Sequence, residues 1–237
     1  MDITFYVMNH HTRNVDKVVS ALEAQGVTPR VFTDTSDHCK SKDRTVKHLG
    51  VATNFLNILN DKCDTRWKVI LHDDVDVPEQ FVDVISHVLH YAPESQVSFY
   101  NPTNKAYRKA HEEGFNVLST YANYWTQCLA FPTSKVEHFT NWVNEKVTHH
   151  GYYSEDGLLW RYNTRTKRKV YVIIPSIIQH LGYRESTFGN PPQCGKNLRN
   201  SATYSPKYDY KKVDWIKAFA SPFKDSKKLS DGEYLKD

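Results

Sequence analysis

Two periods of apolar positions alternate over the first third of this chain. Positions 3–8 read as a strand, and Val15, Val18, Val19 and Leu22 then recur at helical spacing, with Gly26 placed to end the helix. Positions 30–32 predict a second short strand. Leu49, Ala52, Phe55, Leu56 and Leu59 form another helical stripe, and positions 67–71 a third strand. This order predicts an α/β fold built on a mostly parallel, Rossmann-type sheet flanked by helices. Further on, Phe81, Val82, Ile85, Val88 and Leu89 mark a helix that ends before Pro93. Strands are expected at 96–100, 116–119, 127–131 and 170–174. Between the last two, a capping box from Ser134 to Glu137 introduces a helix striped by Val136, Phe139, Val143 and Val147, and a shorter helix covers about 155–162. Beyond Leu181 the periodicity fades. A loop-rich segment, 186–237, is expected to pack on a core of residues 1–185, with one short helix near 213–219.

Composition narrows the class. The chain is 39% hydrophobic and 24% charged, as globular proteins are, and no apolar run approaches the roughly 20 residues of a membrane span. The opening Met-Asp-Ile-Thr-Phe-Tyr-Val lacks a basic region, so no secretory leader is expected. Cys39, Cys63, Cys128 and Cys194 are scattered without a C-x-x-C pair, which suits reduced thiols in a cytoplasmic protein. The formal charge is +4, with one cluster at Arg165, Lys167, Arg168 and Lys169. A second lies in the tail, where Lys207, Lys211, Lys212, Lys217, Lys224, Lys227 and Lys228 interleave with Tyr204, Tyr208, Tyr210, Trp215 and Phe219. Such a surface is either a solvated face of snorkelling lysines or a track for a polyanion, with aromatics stacking on bases.

Three sites carry candidate chemistry. The third strand runs into His72-Asp73-Asp74-Val75-Asp76, three carboxylates within four positions. Ionised carboxylates repel one another and resist desolvation, so a compensating charge is needed, and a divalent Mg²⁺ or Mn²⁺ is the simplest. The plain alternative is a solvated acidic turn with Asp76 as a helix cap. The second site is Tyr152-Tyr153-Ser154-Glu155-Asp156-Gly157. Ser154 suits an N-cap with two acids complementing the helix dipole; alternatively one carboxylate is a general base. The third is His180, in Pro175-Ser176-Ile177-Ile178-Gln179-His180-Leu181-Gly182 directly after a strand. It is either a satisfied core imidazole or a ligand.

Taken in order, these sites resemble the nucleotide-sugar-dependent glycosyltransferases of the GT-A fold. Asp74-Val75-Asp76 matches that family's D-x-D motif, with Asp73 as an extra acid facing the nucleoside or ribose. Glu155-Asp156 matches the x-E-D motif of inverting members, and His180 the late metal-ligating histidine. The resemblance implies Mn²⁺ or Mg²⁺ held by Asp74, Asp76 and His180, with Asp73 and Asp74 at the donor. The donor is a nucleoside-diphosphate sugar, of which a UDP-sugar is the leading candidate. Asp156 would be the base, and Glu155 would bond to the acceptor or hold Asp156 in place. It also implies a nucleotide-sugar half over about 1–100 and an acceptor half over about 101–185, with Asn9, Asp34, Arg44 and Lys47 as candidate donor contacts and Trp125 and Tyr153 as candidate walls.

With no anchor expected, the acceptor should be cytoplasmic. The basic tail favours DNA bearing hydroxymethylated pyrimidines, as bacteriophage enzymes modify in the host cytoplasm, over a lipopolysaccharide or other cytoplasmic-face glycan. Two other classes can be drawn from the same residues. His72, Asp74 and His180 could form the facial triad of a non-haem Fe(II) oxygenase, with Arg184 for 2-oxoglutarate, although its barrel needs strands where helices are expected. A non-catalytic nucleic-acid-binding protein would rest on the tail alone, without any recognised module.

Overall fold

The computed structural model describes residues 2–102, 105–122, 125–147, 153–181, 201 and 203–224. The chain runs β1 (Ile3–His10), α1 (Asp16–Glu23), β2 (Arg30–Asp34), a short α2 (Arg44–Lys47), α3 (Leu49–Asn60) and β3 (Trp67–His72). It continues through β4 (Val75–Asp76), α4 (Phe81–Tyr91), β5 (Gln96–Ser98), α5 (Lys105–Glu112), β6 (Val117–Thr120) and β7 (Cys128–Pro132). Then come α6 (Val136–Lys146), α7 (Glu155–Thr166), β8 (Val170–Ile173), β9 (Gln179–His180), α8 (Trp215–Ala220) and β10 (Phe223–Lys224).

Eight strands form one sheet in the order β10-β6-β8-β5-β7-β3-β1-β2. Strands β1, β2, β3, β5 and β8 share one direction; β6, β7 and β10 oppose it. The expected α/β fold is therefore present as a mostly parallel mixed sheet. The antiparallel members sit beyond the first third, where strand–helix alternation no longer dictates parallel crossovers. Strand period explains the layers. Phe5, Val7, Val69 and Leu71 face a core built with α1, α4 and α8, while Tyr6, Met8 and Ile70 face one built with α3, α6 and α7.

Local chemistry sets several ends. Gly26 adopts φ +78°, and the amide of Val27 reaches back to the Leu22 carbonyl, closing α1 as expected. Ser154 caps α7 by accepting from the Gly157 amide. The capping box at Ser134 is not formed. A 3₁₀ turn over Thr133–Lys135 makes Lys135 the residue before α6, and the Ser134 hydroxyl donates to Glu94 instead. Asp76 is no cap either, because α4 starts five positions later at Phe81. Helix α5 escapes the periodicity because only Tyr107 and Ala110 are buried on it.

The tail aromatics join the core. Tyr210, Trp215 and Phe219 are buried against the α4 side of the sheet; the Trp215 indole donates to the Tyr210 carbonyl and the Tyr210 hydroxyl to the Ser176 carbonyl. They are not available to stack on bases, whereas Lys207, Lys211, Lys212, Lys217 and Lys224 stay exposed. Cys39, Cys63 and Cys128 carry free thiols. Among the described residues no helix is long and apolar enough to cross a membrane. Tyr152, Gly182, Arg184, Cys194, Lys227 and Lys228 lie outside the described residues.

Candidate active site

The chain leaves β1 for β2 on one side and returns across it to β3 on the other. Such a switch in direction opens a crevice at the carboxyl ends of the strands. A cavity of about 310 Å³ lies there, lined by residues from β1, β2, α2, α3, the turn after β3, the segment before β7, the start of α7 and β9. Strand β1 brings Asn9 and the loop after it Arg13; β2 brings Asp34, and Lys47 ends α2. The turn after β3 brings Asp73 and Asp74, the start of α7 Glu155 and Asp156, and β9 His180.

The nucleoside-side candidates are held by α3. Buried Asn54 donates to the carbonyls of Asn9 and Phe32, fixing the ends of β1 and β2 side by side. One Asp34 oxygen accepts from the amide and hydroxyl of Ser36 at 2.9 and 2.7 Å. Gly50 allows α3 to come this close, since a β-carbon there would lie 2.1 Å from the other Asp34 oxygen. The Arg44 side chain lies outside the described part of the structure.

The acidic turn is divided. Asp73 accepts from the His10 amide at 3.0 Å and from the Arg13 guanidinium at 3.0 Å. Arg13 also bonds one oxygen of Asp74, and His180 Nε2 stands 3.2 Å from the same oxygen. Asp76 is half-exposed on β4, 2.7 Å from Lys17, and does not line the cavity. An i, i+2 pair shares a face only along extended backbone, and the Asp73-Asp74 turn breaks that alternation. Pairing of β4 with β9 sets Val75 opposite His180, and the Leu181 amide donates to the Asp74 carbonyl, so the imidazole is brought to Asp74 and not to Asp76.

Electrostatics follow from this packing. Burial favours a neutral Asp74, but the hydrogen bond and charge of His180, then His72 and Arg13, hold its carboxyl well below the usual range. Asp73 is raised by burial and by Asp74, against Arg13. Burial lowers His72 to about 4. Glu155, 4% exposed, is pushed up to about 7 by burial, with Asp74 adding to the rise and hydrogen bonds from the helix start opposing it.

Four buried acceptor oxygens on the cavity residues have no hydrogen-bond partner among the described residues: Asn9 Oδ1, Asp74 Oδ1, Gln127 Oε1 and Glu155 Oε2. An unpaired buried acceptor costs about 1–3 kcal/mol, so this set awaits hydroxyl or amide donors, or a cation. Arg13 and Lys47 supply positive charge for an anion in the same space. No group of three or more His, Cys, Asp or Glu poised for a metal occurs among the described residues. Asp74 Oδ1 and His180 nonetheless suit a hard divalent ion that takes its remaining ligands from phosphate oxygens and water.

The pattern of the sequence did not point to Arg13, Thr126 or Gln127. The only signal for Arg13 was its position, a lone cation just past the first strand of an α/β sheet. Trp125 lines the cavity, while Tyr153 does not and instead packs beneath the Arg161 guanidinium, 4.1 Å from its ring centroid.

No protein-family model matches the chain, and no curated protein matches it. Among solved structures, a glycosyltransferase involved in the glycosylation of the major capsid of PBCV-1 is similar at 11% identity and a TM-score of 0.33, over 61% of this chain and 68% of that one. A197 from STIV is similar at 11% identity and a TM-score of 0.32, over 74% and 83%. Likenesses this distant assign neither family nor activity.

Proposed function

We propose that this chain is a glycosyltransferase of the GT-A kind that moves a sugar from a nucleoside-diphosphate donor to an acceptor hydroxyl with inversion. The observation that carries the reading is convergence. Asp73-Asp74, Glu155-Asp156 and His180, far apart in sequence, line one cavity at the sheet's switch point together with Asn9, Asp34 and Lys47. The unpaired acceptor oxygens suit sugar hydroxyls, and Arg13 and Lys47 suit a diphosphate. An oxygenase barrel formed around His72, Asp74 and His180 would need closed β structure, whereas this sheet is open with helices on both faces.

In this reading Asp156 Oδ takes the proton of the acceptor hydroxyl. The acceptor oxygen bonds the anomeric carbon while the bond from that carbon to the diphosphate oxygen breaks, its electron pair leaving with the diphosphate. Asp74 and His180 would hold Mn²⁺ or Mg²⁺, which supplies Lewis-acid neutralisation of the leaving group. Arg13 turns from the carboxylates toward the diphosphate, and Asp73 meets the ribose side.

The particular protein we infer is a DNA-modifying enzyme acting on hydroxymethylated pyrimidines with a UDP-sugar. The support is net positive charge, with Arg165, Lys167 and Lys169 exposed at or just beyond the end of the helix that starts with Glu155-Asp156. The test is incubation with a nucleotide-sugar panel, Mn²⁺ or EDTA, and hydroxymethylated or plain DNA, followed by digestion to nucleosides and mass spectrometry. Sugar on the hydroxymethylated nucleoside is expected. Transfer only to a glycan removes the DNA reading, and no transfer from any donor removes the enzyme class. Asp156→Asn should lower transfer by about 10²-fold or more while donor binding, read by calorimetry, is kept.

A further inference from the structure

Thr126, just before β7, places its Oγ1 between three polar groups in a nearly dry setting, with the residue 2% exposed. Oγ1 lies 2.7 Å from Asp156 Oδ1, 3.1 Å from Glu155 Oε1 and 3.2 Å from His72 Nε2. A hydroxyl has one proton to give and two lone pairs to receive with. It cannot donate to both carboxyl groups. We infer that Thr126 is a positioning residue whose proton goes to Asp156 and whose oxygen accepts from Glu155, so that Asp156 is held anionic and Glu155 neutral. The inference rests on the reading of Asp156 as the base and adds how two adjacent acids are kept in different states.

Distance decides the direction of donation. The contact to Asp156 is the shortest and has the length of a charge-assisted O–H···O⁻ bond. Glu155 then faces a lone pair of Oγ1, a contact that is favourable only when Glu155 carries the proton. The second lone pair can accept from His72. Glu155 is faced by His72 Nε2 at 3.6 Å from β3, by the charge of Asp74 in the following turn and, across Thr126 Oγ1, by Asp156 on its own helix. The backbone amides of the helix start act in favour of its carboxylate. Arg13 and His180 bond Asp74. No cation among these partners is placed to hold a Glu155 carboxylate, and its second oxygen is buried without a donor. Burial also raises the Glu155 carboxyl, as a neutral acid requires.

The functional consequence is a fixed lone pair. Anchoring one Asp156 oxygen on the Thr126 hydroxyl holds the carboxylate in one orientation, and neutral Glu155 removes the like charge beside it.

The test is a side-chain carboxyl ¹³C NMR titration of metal-free protein, with Glu155→Gln and Asp156→Asn assigning the resonances. In the wild type at about pH 6, protonated Glu155 beside ionised Asp156 is expected. In Thr126→Val the proton affinity of Asp156 should rise about tenfold, and Thr126→Ser should restore it. Should Thr126→Val not fold, Thr126→Ala takes its place, and the wild-type titration decides the proton assignment unaided. Ionised Glu155 at about pH 5, or an Asp156 titration indifferent to the hydroxyl, overturns the inference. In the transfer assay Thr126→Val should lower kcat about tenfold or more with the donor KM unchanged. A wild type that transfers no sugar would sink the proposed function, while the NMR result would still decide the role of Thr126.

Discussion

Glu155→Gln should make the protein more stable at neutral and alkaline pH. The native Glu155 carboxyl is raised from 4.5 to about 7 by burial. A group whose native value is raised contributes stability that is fully present below the unfolded value, about 4.5, and is lost as pH climbs through about 7. Each pH unit of that gap is worth about 1.4 kcal/mol, so the ionised carboxylate costs the native state about 3 kcal/mol by about pH 8. Glutamine mimics the neutral acid: its amide donates to Thr126 as the carboxyl does, and it never ionises. Wild type and variant should therefore match near pH 4.5, and the variant should be ahead by about 3 kcal/mol near pH 8. His72 works in the opposite sense. Its native value of about 4 makes stability fall as pH drops below 6.5, but it contributes equally to both proteins and leaves their difference unchanged. Urea unfolding in EDTA, followed by the fluorescence of the five tryptophans, measures the difference at several pH values. A variant less stable than wild type near pH 8 would refute the neutral Glu155 and, with it, the division of labour at Thr126.

Other perturbations test the scaffold and the ion set. Arg13→Gln strands Asp73 and Asp74 beside one another and should cost about 3 kcal/mol in urea unfolding; Mn²⁺ should restore more of that loss than it adds to wild type, and equal effects would count against a cation site at Asp74. His180→Ala should weaken Mn²⁺ binding at least about tenfold in calorimetry, whereas unchanged affinity would return His180 to a packing role. Gly50→Ala forces a methyl against Asp34, so nucleoside-diphosphate affinity should fall about tenfold with the fold kept; unaltered binding would remove Asp34 from the donor site. Asn163→Leu breaks a buried reciprocal amide pair with Gln96 and should destabilise by about 2–4 kcal/mol, part of which Gln96→Leu added in the same chain should recover.

The legible part of the fold is the part governed by period. Strands β1, β2 and β3 and helices α1, α3, α4 and α7 bury one stripe or alternate faces, so their apolar spacing reports them directly. Elements that depend on a partner were not legible. The two-residue strands β4 and β9 exist only because they pair with each other, Val75 with His180, 105 positions on, and Asp76 with Gln179, 103 positions on. Helix α6 carries the expected stripe, yet it is entered through a 3₁₀ turn in which Ser134 donates to Glu94, and not through the local capping box.

The same distinction governs the site, and it explains why the acidic turn proved more informative than its motif. Sequence spacing alone treats Asp74 and Asp76 as an equivalent pair. The β4–β9 pairing separates them, giving Asp74 the imidazole of His180 and leaving Asp76 to Lys17 in solvent. The compensating charge that Asp73 and Asp74 require is present in the chain itself as Arg13, from a loop with no distinguishing pattern. A metal on the unpaired Asp74 Oδ1 in the proposed function would therefore share that carboxylate with a guanidinium held on its other oxygen. Binding of the ion and of the diphosphate should accordingly be interdependent, because an anion that draws Arg13 away relieves the repulsion between the guanidinium and the cation on one carboxylate.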